Sequence, residues 1–197
     1  NTRGVVLSRM HRPERAGEVP HYARFFEDRG YAVKSLPEDL DADFEGMGDA
    51  LWHPGRRLLW GGYGYRTSPE AYDALSDLLD VPILLLHLTD PDYYHLDTCL
   101  CPLDADHALV APKAFDDAGR ALIDTLFDTP IEVPDREARH QFACNAHCPD
   151  GTHVLIQEGC ETTTKRLRAH DFVPVEIDTS EFMKAGGSVF CMKQMVW

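Results

Sequence analysis

The stretch "THVLIQEGCETTTKRLRAHDFVPVEID", residues 152–178, decides how the chain is read. "THVLIQ" (152–157) is an apolar run of strand length. "CETTTKRLRAH" (160–170), following Gly159, reads as a helix, and "FVPVEID" (172–178) returns to a strand. A strand, a helix and a strand in so short a span imply a right-handed crossover and parallel pairing.

The same order occurs three more times. "RGVVLSRM" (3–10) leads to the helix "HYARFFEDRG" (21–30), with Tyr22, Phe25 and Phe26 on one face and Gly30 as its stop, then to the strand "YAVKSLP" (31–37). "RRLLWGGYG" (56–64) leads to the helix "SPEAYDALSDLL" (68–79), with Ser68 expected as N-cap and Pro69 in the first turn, then to "VPILLLHL" (81–88). "HALVAP" (107–112), "FDDAGRALIDTLF" (115–127) and "PIEVP" (130–134) complete the set. A recurrence of about fifty residues signals repeated architecture. The repeats fit either an open α/β sheet or modules set around an axis. Polar connecting segments, read as short strands, favour the second: "ADFEGMGDALW", "YYHLDTCLCPL", "RHQFACNAHC" and "AGGSVFCMKQM".

Composition narrows the class. With 33 Asp+Glu against 19 Lys+Arg, the formal charge is −14, which argues against a nucleic-acid or anionic-membrane surface. No apolar run approaches the roughly 20 residues that cross a bilayer. Six cysteines in 197 residues do not make a small secreted disulfide framework, so a reduced, cytoplasmic setting is expected. The chain opens on "NTRGVVLSRM" as though mid-domain, and an amino-terminal portion is expected to lie outside it.

Reactive residues concentrate in the connecting segments. "FEGMGD" puts Glu45 and Asp49 beside glycines, which admit close ligand approach, although acids beside glycines are commonly a solvated turn. "YYHLDT" puts His95 and Asp97 two apart, on one face of an expected strand together with Tyr93. That pair suits acid–base work or cation binding, and equally a histidine merely satisfied by a carboxylate. Cys191 follows "GGSV" on an expected terminal strand, as a nucleophile or as packing. Arg66, in "GGYGYRT", could grip a carboxylate or sit at a helix entrance on the surface. "CLC" (99–101) and "CNAHC" (144–148), with His140 and His147, lack the paired spacing of structural zinc sites. Asn145, in the remaining segment, should face the centre by the symmetry of the repeat.

Taken in order, "EGMGD", "YRT", "HLDT" and "GGSVFC" resemble the guanidino-group-modifying enzymes: arginine deiminases, dimethylarginine dimethylaminohydrolases and amidinotransferases. The resemblance spans essentially the whole chain. It implies a pseudo-fivefold α/β propeller of ββαβ modules, about four of them present, forming a single catalytic domain over 1–197. By that resemblance Cys191 attacks the guanidinium carbon and His95 handles the proton. Glu45 and Asp97 hold the guanidinium nitrogens, Arg66 takes the substrate carboxylate, and Asp49 and Asn145 are further substrate contacts. "EGMGD" is one residue longer than the family's usual acidic pair, and the family's first-module substrate loop has no counterpart in this sequence. The implied reaction is hydrolysis of a guanidino C–N bond in arginine or a methylated arginine, yielding citrulline, with no metal and no cofactor. An amidinotransferase is the alternative, and a non-catalytic or zinc-binding module is a third reading. The expected partner is a small guanidino substrate rather than a nucleic acid or membrane, and a homodimer is compatible.

Overall fold

Four short parallel strand pairs, each joined across one or two helices, organise residues 3–196, which a computed structural model describes. The first unit runs β1 (Gly4–Val6), α1 (Pro13–Ala16), α2 (Val19–Glu27) and β2 (Ala32–Lys34), with Val5 paired to Val33. In the second, β3 (Ala50–Trp52) lies antiparallel to β4 (Leu59–Tyr63), which pairs in parallel with β5 (Ile83–His87) after α3 (Ala71–Leu79). The third repeats this with β6 (Leu100–Pro102), β7 (His107–Val110), α4 (Asp117–Leu126) and β8 (Thr129–Glu132). After α5 (Asp135–Gln141) come β9 (His153–Gln157), α6 (Glu161–Ala169) and β10 (Val173–Ile177), with Val154 opposite Pro174. A single antiparallel bridge, His147 to Leu155, stands where the preceding units have β3 and β6. The four-residue α7 (Ser180–Met183) precedes the last segment.

The result is a mixed α/β fold of four separate small sheets, and no closed sheet is present among the described residues. All four expected strand–helix–strand units are there, with boundaries shifted by a few residues. Ser68 does not cap α3: its hydroxyl accepts the Asp43 amide at 3.0 Å, and the helix begins at Ala71 behind Glu70. The helix α5 was not expected, and its last three residues, Arg139–Gln141, fall at the start of the expected strand "RHQFACNAHC". Its carboxyl-terminal end is set by Phe142, which adopts a left-handed backbone at φ 49°.

The larger hydrophobic core joins the second, third and fourth units through residues such as Trp60, Leu86, Leu109, Phe127 and Ile156. A smaller core around Leu36, Phe44, Leu59, Tyr72 and Leu75 lies under α3. Trp60 stacks on Phe127 at 5.4 Å, and its indole N–H donates to His53 Nδ1 at 3.1 Å, so a polar edge is satisfied inside the apolar contact. No helix among the described residues is long and apolar enough to cross a membrane.

Candidate active site

The connecting segments expected as strands are largely turns at their reactive positions. Glu45 enters a 3₁₀ turn over Gly46–Gly48 and Asp49 leaves it. His95 enters an equivalent turn over Leu96–Thr98. The expected strand through His95 and Asp97 is therefore replaced by a tight turn. Thr98 is the cause: its amide and hydroxyl both donate to the His95 carbonyl, at 3.1 and 2.6 Å. Asp97 thereby lies inside the turn instead of sharing a strand face with Tyr93. Tyr93 is buried elsewhere, with its hydroxyl 3.3 Å from Asp135.

Cys191 likewise lies on a turn, not on a terminal strand. Asn145 explains this, because one amide side chain supplies the bonds that a neighbouring strand would have made. Its Oδ1 accepts the Ser188 and Cys191 amides at 3.0 and 3.2 Å, and its Nδ2 donates to the Asp97 carbonyl at 3.2 Å. A side chain at residue 187 would meet Cys191 Sγ at 3.1 Å, so Gly187 is needed for the turn to close this tightly.

Glu45, His95, Asp97 and Cys191 line one cavity of about 240 Å³. His95 Nε2 lies 2.7 Å from Glu45 Oε2, which also accepts from Arg66 Nη1 at 3.2 Å. His95 Nδ1 packs so closely on Gly48 that a Cβ there would lie 2.8 Å away. The Cys191 thiol donates to Asp97 Oδ2 at 3.4 Å, and Asn145 Nδ2 donates to Cys191 Sγ at 3.2 Å. Two buried carboxylate oxygens in this group have no partner, Glu45 Oε1 and Asp97 Oδ1.

The other three expected residues stand behind the cavity wall. Asp49 is buried and clamps the two turns together, accepting Leu96 N–H at 2.9 Å and the Thr67 hydroxyl at 2.7 Å. Asn145 shapes the Cys191 turn. Arg66 lines a neighbouring pocket with His11, Asp43 and Tyr63, its guanidinium 5.2 Å from the Tyr94 ring and already engaged by Glu45. Sequence reasoning passed over two cations that do line the cavity, Arg15 and Lys193. Arg15 stands in a four-residue helix with no motif around it, whereas Lys193 stood two residues beyond the candidate nucleophile.

The charges are arranged for proton transfer and cation binding. Burial works against ionisation of Glu45, but His95 and Arg66 outweigh it and hold the carboxyl down to about 2. Burial would lower the His95 pKa, yet the Glu45 hydrogen bond and the charges of Asp49 and Asp97 raise it above the usual histidine value. Burial lifts Asp97 to about 6 against the pull of His95, with Asp49 adding to the rise. The Cys191 thiol is pushed up to about 12, first by burial and then by Asp97. A cation docked on these carboxylates would reverse that last effect. No group of three or more His, Cys, Asp or Glu among the described residues is arranged to hold a metal ion.

Comparison with known proteins gives a consistent result. The chain is 38% identical over 190 residues to the bifunctional arginine dihydrolase/ornithine cyclodeaminase AgrE of Nostoc sp., covering 95% of this chain and 26% of that protein. It is 39% identical over 188 residues to the N(G),N(G)-dimethylarginine dimethylaminohydrolase of Mycobacterium tuberculosis, covering 95% of this chain and 59% of that enzyme. The chain thus spans about a quarter of the length of the bifunctional relative and somewhat over half of the other. Among solved structures, the N-terminal domain of the cyanobacterial arginine dihydrolase ArgZ, a cysteine-to-serine mutant bound to substrate, superposes with a TM-score of 0.87 at 37% identity, covering 95% of this chain and 68% of that one. No family model matches the chain.

Proposed function

The chain belongs to the guanidino-group-modifying enzyme superfamily, and from that membership we propose that it hydrolyses a guanidino C–N bond of arginine or a methylated arginine through a covalent adduct on Cys191. The observation that carries this reading is the pair of unpartnered buried carboxylate oxygens, Glu45 Oε1 and Asp97 Oδ1, in a cavity shared with a thiol and a histidine. A buried carboxylate oxygen without a donor is costly. A guanidinium offers planar N–H donors and a positive charge, which answers both oxygens at once.

The steps follow from that placement. The cation docks between Glu45 and Asp97, lowers the pKa of the Cys191 thiol, and the thiol proton passes to solvent. The Cys191 Sγ thiolate forms a bond to the central guanidinium carbon. The departing amine takes a proton from His95 as the C–N bond breaks, leaving a thiouronium adduct. Water then attacks the same carbon and gives one proton to His95, and the C–S bond breaks to release the thiolate and a ureido product whose remaining hydroxyl proton passes to solvent. His95 lines the cavity, and the Glu45 bond at Nε2 favours the imidazolium the first half needs. Asp49, Arg66 and Asn145 act by holding these groups, and Arg15 is the cavity guanidinium placed to meet a substrate carboxylate. The four strand–helix–strand units, with their site turns meeting at one cavity, support arranging them around one axis as in the family propeller.

The test is to supply L-arginine, monomethylarginine and asymmetric dimethylarginine to the protein and to its Cys191→Ser variant. Citrulline, ornithine and released amine are then measured. Ornithine is included because the AgrE relative is named a dihydrolase. Ureido or ornithine product from the wild type alone supports the proposal. Transfer of the amidino group to added glycine, with no ureido product, would replace it by the transferase reading, and no turnover with any substrate would sink both.

A further inference from the structure

Lys193 lies two residues beyond Cys191 and lines the same cavity with Asp97, His95 and Phe190. Its Nζ sits 3.7 Å from the centroid of the Phe190 ring, a cation–π contact that fixes the ammonium on the cavity wall. Among the described residues Lys193 has no ion-pair partner, whereas the charge of Arg15, the other cavity cation outside the His95 pair, is matched by Glu18 at 3.0 Å.

The surroundings of the thiol are otherwise one-sided. From the turn after His95, Asp97 Oδ2 stands 3.4 Å from Cys191 Sγ and opposes a second negative charge. The Tyr94 hydroxyl donates to the Gly186 carbonyl and is kept neutral by burial first and by any charge on Cys191 second. Asn145 donates to the sulfur but carries no charge. Across the cavity, His95 is engaged by Glu45 and flanked by Asp49. On the remaining side, His147 is held down to about 4 by burial and by Lys193, so it is neutral at ordinary pH. Lys193 shares the cavity with Asp97 and Cys191, whose negative charges favour its ammonium form, and its own burial is the main factor working against that charge.

We propose that the Lys193 ammonium stabilises the Cys191 thiolate by opposing the charge of Asp97, making it a positioning residue for the nucleophile. This rests on Cys191 being the nucleophile. It does not depend on which guanidino compound is the substrate, because the effect is present before substrate binds.

Alkylation of Cys191 by iodoacetamide across pH, read by peptide mass spectrometry on the full chain, tests the idea without any substrate. Replacing the cation in Lys193→Met, which keeps an unbranched side chain against Phe190, should lower the iodoacetamide rate near neutral pH, where the lysine is charged, by about tenfold. Lys193→Arg should keep the wild-type rate. The rate ratio of anionic iodoacetate to neutral iodoacetamide should fall severalfold in Lys193→Met and stay unchanged in Lys193→Arg. A folded Lys193→Met chain with wild-type rate and ratio near neutral pH would overturn the inference. Should that variant fail to fold, Lys193→Gln takes its place, and a wild-type rate and ratio in that variant also overturn the inference. Absence of arginine hydrolysis with these shifts intact would count against the proposed function and leave the role of Lys193 standing.

Discussion

Glu45 and His95 occupy the same place in successive repeats, each as the residue that enters a 3₁₀ turn, and their side chains meet at 2.7 Å. The bond links two turns fifty residues apart in sequence and holds a proton on the histidine against the effect of burial. Glu45→Gln removes the carboxylate charge but keeps an acceptor oxygen. The His95 pKa should then fall, as read from its ring protons by NMR titration. The hydrolysis rate should drop by about a hundredfold or more, because the imidazolium fraction falls with it. An unchanged His95 titration would disprove this account of the pair.

Asp97 ties activity to instability. Its folded-state pKa, about 6, lies above the ordinary aspartate value of 3.8. Above pH 6 the folded protein therefore carries an ionised buried carboxylate that the unfolded chain would solvate, and this disfavours folding. Below about pH 4 the group is protonated in both states and the penalty disappears. Asp97→Asn should stabilise the protein at pH 8 by on the order of 2 to 3 kcal/mol, and the gain should shrink to nothing as pH approaches 4. Urea unfolding at both pH values measures it, and equal gains at both would contradict it. In the wild type kcat/KM should fall as pH drops through about 6, because the cation needs Asp97 ionised.

Asn145 should prove structural and functional together. Asn145→Ala strips the acceptor from the Ser188 and Cys191 amides, and Ser188 is buried. The expected loss is about 2 kcal/mol in denaturant unfolding, accompanied by loss of activity. A destabilisation under about 0.5 kcal/mol would mean that the turn is held by something else.

The strand–helix–strand order was legible because each unit announces itself locally, through an apolar run, a helix and a turn residue. The four residues that line the cavity were legible because each lies in a short motif that resembles a family pattern. The local conformations were less so. The turn at His95 depends on a hydroxyl three residues on, and the turn at Cys191 depends on an amide forty-six residues back, at Asn145. Strand periodicity carries no trace of either bond. The engagement of Arg66 by Glu45 is equally invisible in "YRT", since it joins two segments of one repeat, twenty-one residues apart, rather than residues within a motif. Lys193 was readable as a neighbour of Cys191, but only the shared cavity and the Phe190 contact show where its charge goes.

The segment bearing Cys191 has no ladder of strand hydrogen bonds among the described residues. Its Ser188 and Cys191 amides hang from one side-chain oxygen, and the Phe190 amide from the Asn145 carbonyl at 3.0 Å. Releasing this latch would free Phe190 from the edge of the larger hydrophobic core but leave the fully buried residues of both cores in place. The molecule can thus be disarmed while it remains folded. A folded chain is therefore no guarantee of a competent one.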